Sequence, residues 1–94
     1  MMARLSEQDV TKALQGLGGW QRAGDEIRKT YPFENFVRAV AFVNRVADAA
    51  EAANHHPDID IRYNKVTIAL TTHDEGGISD KDVALAQRLE SLEA

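Results

Sequence analysis

Cysteine is absent from the 94 residues, which excludes a disulfide framework, a thiol nucleophile and a thiolate metal site. Clustered positive charge is absent too: no run of Lys or Arg exceeds Arg28-Lys29, and 15 acidic residues outnumber 11 basic ones. A chain with that balance does not grip nucleic acid through its phosphates. No stretch approaches the roughly 20 apolar residues of a membrane span, and the opening Met-Met-Ala-Arg-Leu-Ser has no apolar signal core. A soluble, cytoplasmic protein with no membrane partner is expected. Nor does any serine sit in a nucleophile-elbow context, since Ser6 and Ser79 read as helix caps and only Ser91 is left. What is present fits one small domain, with 44% hydrophobic residues to build a core and a size at which oligomerisation adds useful burial.

Two segments carry the same helix-start signal. Leu5-Ser6-Glu7-Gln8-Asp9-Val10 and Ile78-Ser79-Asp80-Lys81-Asp82-Val83 both read apolar, Ser, two residues, Asp, Val, a capping box inside a hydrophobic staple. The first predicts a helix near Ser6 to Leu14, ended by the glycines at 16, 18 and 19, and the second a helix from Ser79 towards the C-terminus. Trp20 to Arg22 and Glu26 to Tyr31, separated by Ala23-Gly24-Asp25, read as a hairpin closed by Pro32.

Phe33 to Ala53 then reads as one long helix with two apolar stripes. At about 100 degrees per residue, Phe33, Phe36, Val37, Val40, Val43, Ala47 and Ala50 share one face, while Ala39, Phe42, Val46 and Ala53 lie more than a quarter turn away. One small sheet covers only one stripe, so Phe42 and Val46 are expected at a subunit interface. The competing expectation is a domain whose other helices wrap both.

Ile59-Asp60-Ile61-Arg62-Tyr63 and Val66-Thr67-Ile68-Ala69-Leu70 alternate strictly around Asn64-Lys65 and read as a second hairpin. Matching apolar faces predicts Tyr63 opposite Val66, Ile61 opposite Ile68 and Ile59 opposite Leu70. Extended outward, this register sets His56 opposite His73, although Pro57 interrupts the ladder.

All three histidines of the chain, His55, His56 and His73, fall in one constellation with Glu51, Tyr63 and Asp82. Histidine gives and takes protons near neutral pH, so the cluster points first to proton transfer. Glu51 lies one helical turn before His55 and can orient a histidine or hold its proton; a solvated carboxylate is its plainer role. Adjacent His55 and His56 point to opposite sides of an extended chain and need not share a job. Tyr63 reads as a core strand aromatic rather than a catalytic phenol, and a helix cap by itself accounts for Asp82. Metal binding is the competing use of the histidines, but their spacing is not that of a pair on one helical face.

Glu51-Ala-Ala-Asn-His55-His56-Pro57, Tyr63-Asn64-Lys65-Val66, Thr71-Thr72-His73 and Gly77-Ile78-Ser79 through Asp82 together resemble the signature of the pterin-4a-carbinolamine dehydratases. The resemblance extends through Gly19-Trp20 and Phe36-Val37-Arg38-Ala39-Val40-Ala41-Phe42-Val43, covering most of the chain from Trp20 to Leu89. It implies an α+β fold over residues 1–94, with a four-stranded antiparallel sheet, helices packed on one face and the order α-β-β-α-β-β-α. It implies a hydro-lyase that turns a 4a-hydroxytetrahydropterin into quinonoid dihydropterin and water in tetrahydropterin recycling, with no metal or redox cofactor. His55 and His73 are implied as the acid–base pair, His56 as a helper or pterin contact and Glu51 as orienting group. Asn54, Thr71, Thr72 and Asp82 are implied as substrate-binding residues. Relatives of this kind form homodimers or homotetramers through sheet edges and the long helix, and some act as dimerisation cofactors of a transcription factor. A non-catalytic interaction module is therefore the alternative function.

Overall fold

The computed structural model describes residues 4–92. The elements follow the expected order: α1 (Glu7–Gln15), β1 (Gln21–Ala23), β2 (Glu26–Pro32), α2 (Phe36–Ala53), β3 (Asp58–Arg62), β4 (Lys65–Leu70) and α3 (Asp80–Glu90), with a 3-10 turn at His73–Glu75 before α3. The four strands form one antiparallel sheet in the order β1-β2-β4-β3. β4 alternates in burial, with Val66, Ile68 and Leu70 inside, as a strand covered on one face must.

Caps define the helices. Ser6 accepts from the Asp9 amide and Asn35 from the Arg38 amide, each satisfying one orphan N–H of a first turn. At the start of α3, Ser79 and Asp82 complete the reciprocal capping box. α2 ends at Asn54, which adopts φ 52° and ψ 42°; asparagine tolerates this left-handed geometry better than most residues and closes the helix.

The expected interface on Phe42 and Val46 is overturned. Both are fully buried inside this single chain, together with Ala39, Ala49 and Ala50. The Phe42 ring lies 4.8 Å from that of Tyr31 and 5.0 Å from that of Phe33, centroid to centroid. α2 must meet both the sheet and α3, and its three buried alanines let those neighbours approach closely while Phe42 fills the space between. The other stripe faces outward: Phe36 is 51% exposed and Val37 74%. Periodicity separated the two stripes correctly but could not say which one the sheet covers.

The β3–β4 register also differs from expectation. Ile59 pairs with Ile68, Ile61 with Val66 and Arg62 with Lys65, so the two-residue turn is Tyr63-Asn64. Asn64 is held by the segment entering α2: its Nδ2 donates to Phe33 O at 2.8 Å, and the Phe33 amide donates to Asn64 O at 2.8 Å. This clamp outweighs the cost of placing Tyr63 at φ 52°. Tyr63 is consequently an exposed turn residue, 67% accessible, and not a core aromatic. The shift is two residues, which preserves side-chain parity and keeps the isoleucines on their intended face. It does remove the expected opposition of His56 and His73: β4 ends at Leu70 and His73 begins the 3-10 turn.

Candidate active site

The left-handed turn at Asn54 governs the first half of the site. The amides of Asn54 and His55 donate back to Glu51 O and Ala50 O, each at 3.1 Å, so the chain reverses at the end of α2 and His55 is directed towards the start of α3. There its Nε2 lies 2.5 Å from Asp82 Oδ1. The His55 side chain is 11% exposed and that of Asp82 0%. Asp82 Oδ2 accepts from the Ser79 amide and from Thr72 Oγ1, both at 2.9 Å. A carboxylate bound in this way only accepts, so His55 Nε2 carries the proton and Nδ1 is left with the lone pair.

Thr72 reaches Asp82 because its backbone pairs with Gly77: the Thr72 amide donates to Gly77 O at 2.9 Å and the Gly77 amide to Thr72 O at 3.3 Å. The loop between them holds His73 and closes at Gly76, φ 74°, a conformation glycine supplies without strain. Thr72 Oγ1 is also 2.6 Å from Ser79 Oγ. No buried side-chain polar atom among the described residues lacks a partner.

His56 turns the other way, and its Nε2 lies 2.5 Å from Glu51 Oε2. This pair is open to water, its side chains 60% and 76% exposed. The two adjacent histidines thus have different partners, as alternation along an extended segment predicts.

The eight expected site residues therefore fall into three groups. His55, Thr72 and Asp82 form one buried network. Glu51 and His56 form a surface pair. Asn54, Thr71 and His73 join neither: Asn54 is the exposed helix terminator, and Thr71 donates to Asp25 O at 2.6 Å. The exposed His73 side chain makes no hydrogen bond among the described residues. Ser79, read from the sequence as a cap alone, is the member of the buried network that was missed. The available signal was that the aspartate completing its capping box is Asp82, already part of the constellation.

Beside His55, a groove of about 460 Å³ runs between α2 and α3, walled by Ala49, Ala53, Ala84 and Leu85 with Lys81 and Arg88 among its lining residues. Its walls are apolar, and His55 is its contribution from the constellation.

Comparison with known proteins locates this arrangement. The family model described as pterin 4 alpha carbinolamine dehydratase matches residues 3–92. A protein of Thermomicrobium roseum provisionally named pterin-4-alpha-carbinolamine dehydratase is 55% identical over 91 residues, covering 97% of this chain and 98% of its own length. A protein of Roseiflexus with the same provisional name is 52% identical over 92 residues, covering 98% and 99%. Among solved structures, a protein of Brucella melitensis described as a transcriptional coactivator/pterin dehydratase superimposes with a TM-score of 0.92 at 32% identity, covering 97% of this chain and 99% of that one. A pterin dehydratase-like RuBisCO assembly factor of the alpha-carboxysome shares the fold, with a TM-score of 0.65 at 24% identity over 80% of this chain and 87% of its own.

Proposed function

Because this chain belongs to the pterin-4a-carbinolamine dehydratase family, we propose that it is a hydro-lyase that converts a 4a-hydroxytetrahydropterin to quinonoid dihydropterin and water during tetrahydropterin recycling in the cytoplasm. The observation that carries this reading is the 2.5 Å contact between His55 and the buried Asp82, which presents one neutral imidazole with a defined lone pair. In the reaction the N5–H bond breaks, the N5 electrons form the C4a=N5 double bond, and the C4a–O bond breaks as hydroxide is protonated to water. His55 Nδ1 takes the N5 proton, and the Asp82 carboxylate stabilises the imidazolium that results. His73 gives a proton to the leaving hydroxyl, the His56–Glu51 pair assists at the pterin, and Asn54 and Thr71 lie at the ring edge. A positioned acid or base contributes about 100-fold or more. The step balances with one acid and one base, so no metal or redox cofactor is invoked.

The assembly is proposed to be a homodimer or homotetramer. Support comes from the outward stripe of α2, where Phe36 and Val37 are exposed, and from β3, an edge strand with Ile59 and Ile61 38% and 37% exposed. The same stripe, together with the description of the Brucella relative as a coactivator, favours a second reading as an interaction module. Among the described residues no helix is long and apolar enough to cross a membrane.

The experiment is the dehydration of enzymatically generated 4a-hydroxytetrahydropterin, followed by ultraviolet absorbance against the no-enzyme rate, for wild type, His55→Ala and His73→Ala. Acceleration by wild type that falls sharply in both variants supports the dehydratase. A wild-type rate equal to background, from folded protein, sinks it and leaves the interaction module.

A further inference from the structure

We infer that Thr72 and Ser79 form a one-way hydroxyl relay that, through Asp82, holds the His55 ring in a single tautomer, which makes Thr72 a positioning residue rather than a substrate contact. The catalytic consequence rests on the dehydratase reading; the tautomer itself does not.

The proton order follows from the donors available. Asp82 Oδ2 accepts the Ser79 backbone N–H, and Thr72 Oγ1 lies 2.9 Å from the same oxygen. An ionised carboxylate supplies no proton, so the Thr72 hydroxyl must donate to it. Thr72 Oγ1 then offers only lone pairs to Ser79 Oγ, 2.6 Å away, and the Ser79 hydroxyl must donate to Thr72. Ser79 Oγ in turn accepts the Lys81 amide at 3.2 Å. Reversing the chain would set lone pairs of Thr72 and Asp82 against each other at 2.9 Å in a site where Thr72 is 6% exposed and Ser79 and Asp82 0%. In such surroundings an unmade hydrogen bond is costly and aligned ones reinforce each other.

Two donors therefore saturate Oδ2, and Oδ1 faces the His55 Nε2–H. The backbone pairing of Thr72 with Gly77 keeps its hydroxyl from swinging away. Without the Thr72 hydroxyl, Oδ2 retains one donor, the carboxylate competes harder for the His55 proton, and the ring no longer keeps its lone pair on Nδ1 alone. Other charged groups around the pair are Asp80, Lys81 and Arg88 of α3, which line the groove with His55, and Glu51 of α2, which is engaged by His56.

The test is the 15N NMR spectrum of the His55 imidazole, recorded without substrate at a pH where the ring is neutral, in wild type, Thr72→Val and Thr72→Ser, alongside dehydration kinetics. Wild type should show a protonated Nε2 and a bare Nδ1. Thr72→Val should mix the two tautomers and lower kcat roughly tenfold, the worth of one hydrogen bond to a charged group, with KM within about twofold. Thr72→Ser should restore both. A wild-type 15N pattern in folded Thr72→Val overturns the inference. If the pattern changes as expected but wild type does not accelerate dehydration, the relay stands and the dehydratase reading falls. Should Thr72→Val fail to fold, Ser79→Gly removes the first donor while keeping an acceptable helix start; an unchanged pattern there also overturns the relay.

Discussion

Replacing Asp82 by Asn separates the two tasks of this side chain. An amide has the shape of a carboxylate, and its carbonyl oxygen can take the place of Oδ2, accepting from Ser79 N and Thr72 Oγ1. The capping box then persists. The amide NH2 occupies the place of Oδ1, 2.5 Å from His55 Nε2, and it can only donate. His55 must answer with an unprotonated Nε2, which moves the ring proton to Nδ1 and removes the proposed base. Exchanging charge-assisted for neutral hydrogen bonds costs about 1 kcal/mol of stability, which lowers Tm by roughly 4–8 °C in a domain of this size. Dehydration should fall by about 100-fold or more, the scale of a lost general base; the same substitution beside the histidine of a Ser-His-Asp triad costs about 10⁴-fold. The assay is the dehydration rate above the uncatalysed one, with folding followed in guanidinium by the fluorescence of Trp20, the only tryptophan. A stably folded Asp82→Asn protein whose rate stays within about threefold of wild type would refute the tautomer argument.

Three further outcomes are expected. Glu90 Oε2 accepts from Lys29 Nζ at 2.8 Å, Tyr31 OH at 2.6 Å and Trp20 Nε1 at 3.1 Å; burial pushes its carboxyl up, but these hydrogen bonds and the charge of Lys29 outweigh it and hold it below 4.5. Glu90→Gln should therefore cost about 1–2 kcal/mol at neutral pH. Because the folded-state value is the lower one, that stability is present above the unfolded value and is lost as pH falls through the folded one; urea titrations should show wild type and variant converging in acid, and a constant gap would contradict the assignment. Phe36→Asp, at a half-exposed site, should leave chain stability within about 0.5 kcal/mol while lowering the assembly mass in light scattering; an unchanged mass removes the outward stripe as an interface. Tyr63→Asn should stabilise the chain by about 0.5–1 kcal/mol, since Asn accepts the left-handed turn more readily, and should leave dehydration unchanged; a large loss of activity would return the phenol to the mechanism.

Much of this architecture could be read along the chain. Ser6 and Ser79 mark helix starts that the structure contains, Gly24-Asp25 lies between β1 and β2, and Glu26–Pro32 is a strand. These signals are legible because a cap or a tight turn is satisfied within a few residues. Asn54 was singled out for a different reason: the motif placed it at a ring edge, whereas its visible work is the left-handed reversal after α2. Thr72 resembled an ordinary strand residue, because nothing near it in sequence reveals that its hydroxyl points inward at a carboxylate ten positions later.

The sequence by itself determined the order of elements, the caps, the strand parity and the spacing from Glu51 to Asp82, all of which depend on local stereochemistry with periods of 2 and 3.6 residues. Only the tertiary structure decided which stripe of α2 is inside, since two apolar faces of one helix satisfy the same period and the choice lies with the surfaces of the sheet and α3. It likewise decided the β3–β4 register, through the clamp of Asn64 on Phe33, and the meeting of His55 with Asp82, 27 residues apart. That contact needs the end of α2 and the start of α3 held side by side, a condition met by packing the whole core and written in no single segment.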